Sequence, residues 1–379
     1  MLDGALCSCS IVLRPLSHMI EISENIDKVV ESYDSYASTL IGEPHLAQMV
    51  DLVHQIFFEK GSGQLIRRNE KSQLISIRNG AICSEINGEQ LKITIYAETS
   101  ESLHALRELI SHYAEEHLSE LALDWTASDE LDAGSLPPTC RVATVVGVER
   151  LGQLFIRVKL CAEKLDRYHH AGLHFRIGIP PIGRKPVWPF LSENGRTTWA
   201  KGADKLHLPA FTTVSVNLER NELVFDLFSH QNGPTCEWAE GLLAGIDSRN
   251  EILLSGPGGG WMPPQKKLLI AGDETALPTI RRTLATANSS DDVIAFIELE
   301  NLMDVKLIAA ECGHHVRYLD RSRGESLSDA VLTLRKKKLE DRYLWFAGEK
   351  TDADKVREVA KSVWHVPRGR RYVAAFWKK

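Results

Sequence analysis

A chain of 379 residues is long enough for two or three domains, each burying its own core. Hydrophobic residues at 43% and charged residues at 25% are ordinary globular values, and a net charge of −6 argues against a general nucleic-acid binder. No run approaches the roughly 18 apolar residues of a membrane-spanning helix, so no membrane insertion is expected.

Seven cysteines, at positions 7, 9, 83, 140, 161, 236 and 312, are scattered, and only Cys7 and Cys9 stand close. That pattern fits reduced thiols in a cytoplasmic protein better than a zinc site or a disulfide framework. The N-terminus has an apolar stretch with no basic residue ahead of it and no small-residue cleavage site. It is expected not to be a signal peptide, with Met19 an alternative start.

Residues 1–35 read as a tail. The segment 36–126 reads as a small α+β domain, with a helix over His45 to Phe58 and strands over 73–77, 81–83 and 90–96. A second helix follows from Ser100 to Leu118, with Leu103, Leu106, Leu109 and Ile110 on its apolar face. His54 falls on the apolar side of the first helix and is expected in the core. His104, His112 and His117 are expected on the solvated surface rather than as metal ligands.

Residues 127–138 (ASDELDAGSLPP) are a linker by composition. Between 139 and 262 lie six short strand patterns: 141–148, 153–160, 173–179, 211–218, 222–229 and 251–255. With turn residues between them they suit a closed Greek-key antiparallel barrel. A helix over 235–243 interrupts the strands, and its N-terminus is suited to an anion. The segment from Ile182 to Leu208 is long and proline-containing, a loop of functional length, with Trp199 expected at the surface.

From 263 to 379 strands and helices alternate, with strands at 268–271, 293–299, 315–319 and 343–349 and a helix from Asp352 to Val363. That is the pattern of an α/β, Rossmann-like nucleotide-binding domain. The stretch Leu268 to Arg282, LLIAGDETALPTIRR, reads as buried strand, tight turn and helix start, where an open α/β sheet takes its ligand. Gly272, Asp273, Glu274 and Thr275 form the turn, and the two acids also suit helix capping. The last sixteen residues hold five bases and no acid, a basic C-terminal tail with Phe376 and Trp377 beside Lys378 and Lys379.

The wording GDETALP after a buried strand resembles the siderophore-interacting protein family of FAD-dependent ferric-siderophore reductases, related to the ferredoxin-reductase superfamily. FIELE at 296–300, WFAGE at 345–349 and the aromatic, basic ending are similar to that family too. The segment 36–126 resembles a small domain of unknown function that accompanies it. The resemblance implies an NAD(P)H-dependent oxidoreductase that reduces Fe(III) to Fe(II) through bound FAD and releases iron in the cytoplasm. No side chain need then serve as acid, base or nucleophile.

The family's flavin motif, Arg-x-Tyr-Thr-x-Arg, corresponds here to Pro209-Ala210-Phe211-Thr212-Thr213-Val214. Phe211 keeps the aromatic face and Thr212 is retained, but Pro209 and Val214 replace the two arginines, and proline offers no charge to a phosphate. His230, Gly233, Pro234, Thr235 and Trp238 match the next motif, while Cys236 stands where a serine donor is usual. Lys205 and His207 are nearby helpers in sequence. FAD is therefore either held by helix N–H groups, Thr235 and the Phe211 ring, or weakened.

A ferric siderophore is an anionic partner, for which the resemblance implies basic docking residues: Arg176, Lys378 and Lys379. Lys336 to Lys338 read as a solvated face. Glu298 and Glu300 suit the free ribose of NADH, and Arg321 and Arg323 the 2′-phosphate of NADPH; both stay open. A monomer without nucleic-acid or membrane partners is expected. The alternatives are a flavin-free protein that binds ferric siderophore or another iron chelate, and a flavin or ferric-chelate reductase without siderophore preference.

Overall fold

In the computed structural model of the chain, the described residues are 35–59, 63–77, 79–118, 121–128, 132–170, 174–229, 233–258, 265–300, 315–339 and 341–379, with single positions 33 and 302. Met19, Cys7, Cys9, His230 and Cys312 lie outside them. By compactness the chain divides into two units. One holds 1–142, 174–208 and 251–262; the other holds 143–173, 209–250 and 263–379.

The first elements are β1 (Ser35–Gly42), α1 (Leu46–His54), β2 (Gln64–Arg68), β3 (Ser72–Ile77), β4 (Gly80–Asn87), β5 (Gln90–Ala97), α2 (Ser100–His117) and β6 (Thr126–Ala127). They make an antiparallel sheet in the order β2-β3-β4-β5-β1-β6. β1 alternates, with Ala37, Thr39 and Ile41 buried and Tyr36 and Leu40 exposed, a pattern that marks a half-buried strand. α2 starts where the Thr99 hydroxyl accepts the N–H of Ser102 at 3.2 Å. Leu103, Leu106, Ile110 and Ala114 then pack on Ile82, Ile93 and Ile95. Each such aliphatic side chain contributes about 1.5–3 kcal/mol on burial. His54 is buried, as expected. His104 is not at the surface: it is 1% exposed, held against a residue far away in sequence.

The barrel elements are β7 (Cys140–Leu151), β8 (Phe155–Cys161), α3 (Asp166–His170), β9 (His174–Gly178), β10 (Phe190–Leu191), β11 (Thr197–Thr198), β12 (Ala210–Asn217), β13 (Glu222–Phe228), α4 (Pro234–Leu243) and β14 (Glu251–Gly258). Six strands close in the order β12-β13-β8-β7-β14-β9, and β10-β11 form a separate hairpin. Trp199, expected at the surface, is half-buried with Trp188 and Leu208 against Cys140, Leu206 and Leu253.

The C-terminal elements are β15 (Lys267–Gly272), α5 (Leu277–Thr286), β16 (Asp292–Leu299), β17 (His315–Asp320), α6 (Leu327–Leu332), β18 (Tyr343–Glu349), α7 (Lys350–Ser362) and β19 (Arg371–Trp377). The sheet is parallel throughout, ordered β17-β16-β15-β18-β19. Leu268 to Ala271 are buried because a parallel sheet is covered on both faces. The presumed tail is mostly an edge strand: Tyr372 stacks on buried Trp345 with ring centroids 5.7 Å apart. Among the described residues no helix is long and apolar enough to cross a membrane. Nor do any three or more His, Cys, Asp or Glu side chains gather as a metal site. Cys83, Cys140, Cys161 and Cys236 form no disulfide among the described residues.

Candidate functional site

The turn after β15 is built by close approach. A Cβ on Gly272 would stand 3.0 Å from the Ala347 carbonyl and run into Ala276, so only glycine passes here. Asp273 caps the single 3₁₀ turn that follows. One carboxylate oxygen accepts from the Thr275 N–H at 2.9 Å and the Thr275 hydroxyl at 2.6 Å. The other accepts from the indole Nε1 of Trp377, at the end of β19, at 2.7 Å. Burial raises the pKa of Asp273 against these three donors, and the side chain is 2% exposed. Pro278 then opens α5 at a position where its missing N–H is not needed.

Glu274 is equally buried and faces the other way. It accepts from the Glu300 N–H and from Arg321, whose Nη2 lies 2.7 Å from Oε2 and whose Nη1 lies 3.3 Å from Oε1. Arg321 Nε also donates to Glu298 Oε1 at 2.6 Å, and the second Glu298 oxygen takes the Leu327 N–H at 2.6 Å. The acid expected on ribose and the base expected on phosphate are thus engaged with each other. Glu300 and Arg323 are exposed, Arg323 lying 3.3 Å from Asp320.

The motif strand β12 meets this turn's helix directly. Thr212 Oγ1 lies 3.3 Å from Thr279 Oγ1 of α5, 67 residues on. Arg282 of the same helix donates to the Thr213 carbonyl at 3.4 Å and the His169 carbonyl at 2.9 Å. Phe211 is half-buried with its ring 4.6 Å from that of Phe225. The Thr213 hydroxyl is buried with no partner among the described residues. Pro209 and Val214 are half-buried. Arg157 donates to Asp226 at 2.8 and 3.0 Å, and Arg150 pairs with Glu240.

α4 begins at Gly233, with φ +145° and no side-chain cap, followed by Pro234 and Thr235. Trp238 is fully buried and donates to the Arg249 carbonyl at 3.0 Å, which fixes the helix from below. Among the described residues no side chain caps this ten-residue helix, and its N-terminus carries the positive end of the dipole, which suits an anion.

The basic residues lie on different elements. Arg176 on β9 donates to the Leu208 carbonyl at 2.7 Å. Lys205 is exposed, and His207 is half-buried with its pKa lowered by burial. Lys378 and Lys379 are exposed beyond β19. Sequence reasoning includes Thr213 in the flavin motif, but misses Thr279 as the partner of Thr212 and Trp377 as the donor to Asp273. Only Trp377 has a signal: it is an aromatic at the end of an alternating run whose clustered bases suggest a tail.

Two family models match the chain: the siderophore-interacting FAD-binding domain over residues 144–261 and siderophore-interacting protein over residues 265–379. The chain is 26% identical over 219 residues to the NADPH-dependent ferric-chelate reductase of Escherichia coli (strain K12), covering 55% of this chain and 82% of that one. It is 22% identical over 251 residues to the ferric vibriobactin reductase ViuB of Vibrio cholerae, covering 63% and 89%. Its fold is shared with a siderophore utilization protein from T. fusca (TM-score 0.54, 21% identity, 65% of this chain and 95% of that one). It is shared likewise with the siderophore-interacting protein SipS from Aeromonas hydrophila (TM-score 0.52, 22% identity, 63% and 92%).

Proposed function

The chain belongs to the siderophore-interacting protein family through residues 144–261 and 265–379, and from that premise we propose that it reduces ferric siderophore to release Fe(II) in the cytoplasm. The electron donor in this reading is NADPH or NADH, and FAD is the bound cofactor. In this reading residues 139–262 carry the flavin and 263–379 the nucleotide, with the small domain expected over 36–126 ahead of them. A monomer suffices.

The single observation that carries the reading is the meeting of the two motifs, Thr212 against Thr279 at 3.3 Å. A flavin, when bound, accepts a hydride from a nicotinamide and passes single electrons to an acceptor. The residues present fit that group. The Thr213 hydroxyl, without a partner among the described residues, the Phe211 ring, Thr212 and the start of α4 at Gly233, Pro234 and Thr235 are the parts that would hold it. With Pro209 and Val214 in the arginine positions, the phosphate charge is met by backbone N–H groups and the helix dipole. His230 of the motif completes the proposed set.

Asp273 and Glu274 shape the nicotinamide turn, their carboxylates engaged by Thr275 and Trp377 and by the Glu300 N–H and Arg321. Arg176, Lys378 and Lys379 supply positive charge for an anionic ferric siderophore. The test is an anaerobic assay of chain, FAD, NADPH or NADH and a ferric catecholate, with a colorimetric ferrous chelator as trap. The proposal predicts Fe(II) formation that requires both FAD and the nicotinamide. Binding of the chelate without any Fe(II) would overturn it in favour of a binding protein.

A further inference from the structure

Helix α2 has two working faces. Leu103, Leu106, Ile110 and Ala114 belong to the core of the N-terminal sheet. Glu101, His104, Glu108 and Glu115 recur at helical spacing along another face. All four hold residues from outside that sheet. Glu101 accepts from Arg141 Nη2 at 3.2 Å. His104 Nε2 lies 3.0 Å from Thr197 Oγ1. Glu108 Oε1 accepts from Arg196 Nε at 2.9 Å and from the Thr197 N–H at 3.3 Å, and Glu115 accepts from Arg196 Nη1 at 2.6 Å. The guanidinium of Arg107 lies so close under Gly195 that an added Cβ would stand 2.7 Å from Nη2, and Gly195 has φ +72°.

Apart from Arg141, these partners belong to the β10–β11 hairpin, which pairs only two residues per strand. A ladder that short does not order a loop by itself. The same segment continues through Leu206 and Leu208, packed with Cys140 and Leu253, and enters β12 at Ala210. Phe211, Thr212 and Thr213 follow at once. The family matches begin only at residue 144, so they assign nothing to the N-terminal module.

We propose that the polar face of α2 is a clamp for the β10–β11 hairpin, and that the N-terminal module thereby restrains the lead-in to β12 for flavin binding. The clamp stands on the contacts alone; its consequence for flavin rests on the reading above. Glu108, Glu115 and Arg196 are positioning residues that act through the hairpin. Holding the lead-in before the ligand arrives lowers the ordering cost of binding.

The test uses the full chain with Arg196→Glu, and with Arg196→Glu combined with Glu108→Arg and Glu115→Arg. Hydrogen exchange is followed across residues 190–198, with β4 and β5 as the folding control, and FAD affinity is measured by fluorescence titration. In the single variant, exchange in the hairpin should accelerate about tenfold or more while β4 and β5 stay protected, and FAD should bind about tenfold more weakly. The charge-exchanged variant should recover part of both. Unchanged hairpin exchange in Arg196→Glu would overturn the clamp. Accelerated exchange with wild-type FAD affinity would overturn its consequence for the flavin. Failure of the wild-type chain to take up FAD would instead remove the flavin reading, and with it that consequence, leaving the exchange data to decide the clamp.

Discussion

Trp377 and Asp273 stand 104 residues apart and share a 2.7 Å hydrogen bond in which the acceptor is almost fully buried. Removing the donor leaves a carboxylate oxygen short of a partner where water has little access. Trp377→Phe keeps most of the ring area and should destabilise the chain by about 1–3 kcal/mol, seen as a lower urea midpoint at unchanged slope. A midpoint within error of wild type would show that water replaces the indole. His104 and His174 carry a different signature. Burial, foremost, lowers both to about 4, with Arg107 and Arg196 adding to the effect at His104. Between pH 6.5 and 4 the unfolded chain takes up protons that the folded chain refuses, so stability falls as pH drops through that window and levels off below it. The expected loss is on the order of 2–3 kcal/mol per histidine. His104→Gln should flatten its share of the curve; an unaltered pH profile would contradict the assignment.

At the scale of elements, the ends of β15, β16 and β17 are tied by one guanidinium. Arg321 bridges Glu274, 2% exposed, and Glu298, 7% exposed, so its loss strands two buried carboxylates. Arg321→Ala should cost about 3–5 kcal/mol in chemical denaturation, more than an exposed ion pair would. A loss under about 1 kcal/mol would mean that the acids protonate or hydrate freely. The strands and helices themselves were legible to within a few residues, because buried runs and alternation are local signals. β1, β2, β6, the β10–β11 hairpin, α3 and α6 are not among the expected elements, although Ala37, Thr39 and Ile41 alternate as a strand should. β19 was read as a tail because its bases cluster at the ends, while the stacking of Tyr372 on Trp345 that makes it a strand is a tertiary contact.

For the whole molecule, the two motifs that define the family could be read from residue types, but not how their side chains are used. Glu298 and Arg321 each suit a nucleotide when taken alone, and only the fold shows that they neutralise each other. His104 looked like surface because its partner, Thr197, lies 93 residues on. Pro209 and Val214 bring no positive charge to β12 and its lead-in, so the proposed flavin site leans on its remaining parts. Phe211, Thr212, Thr213 and the start of α4 are the residues proposed to hold FAD. The most direct measurement is a visible absorption titration of the purified chain with FAD, followed by anaerobic addition of NADPH or NADH. The account predicts saturable uptake, with a flavin band between about 370 and 460 nm that bleaches on adding the nicotinamide and returns on adding ferric chelate. No uptake at excess FAD would contradict it.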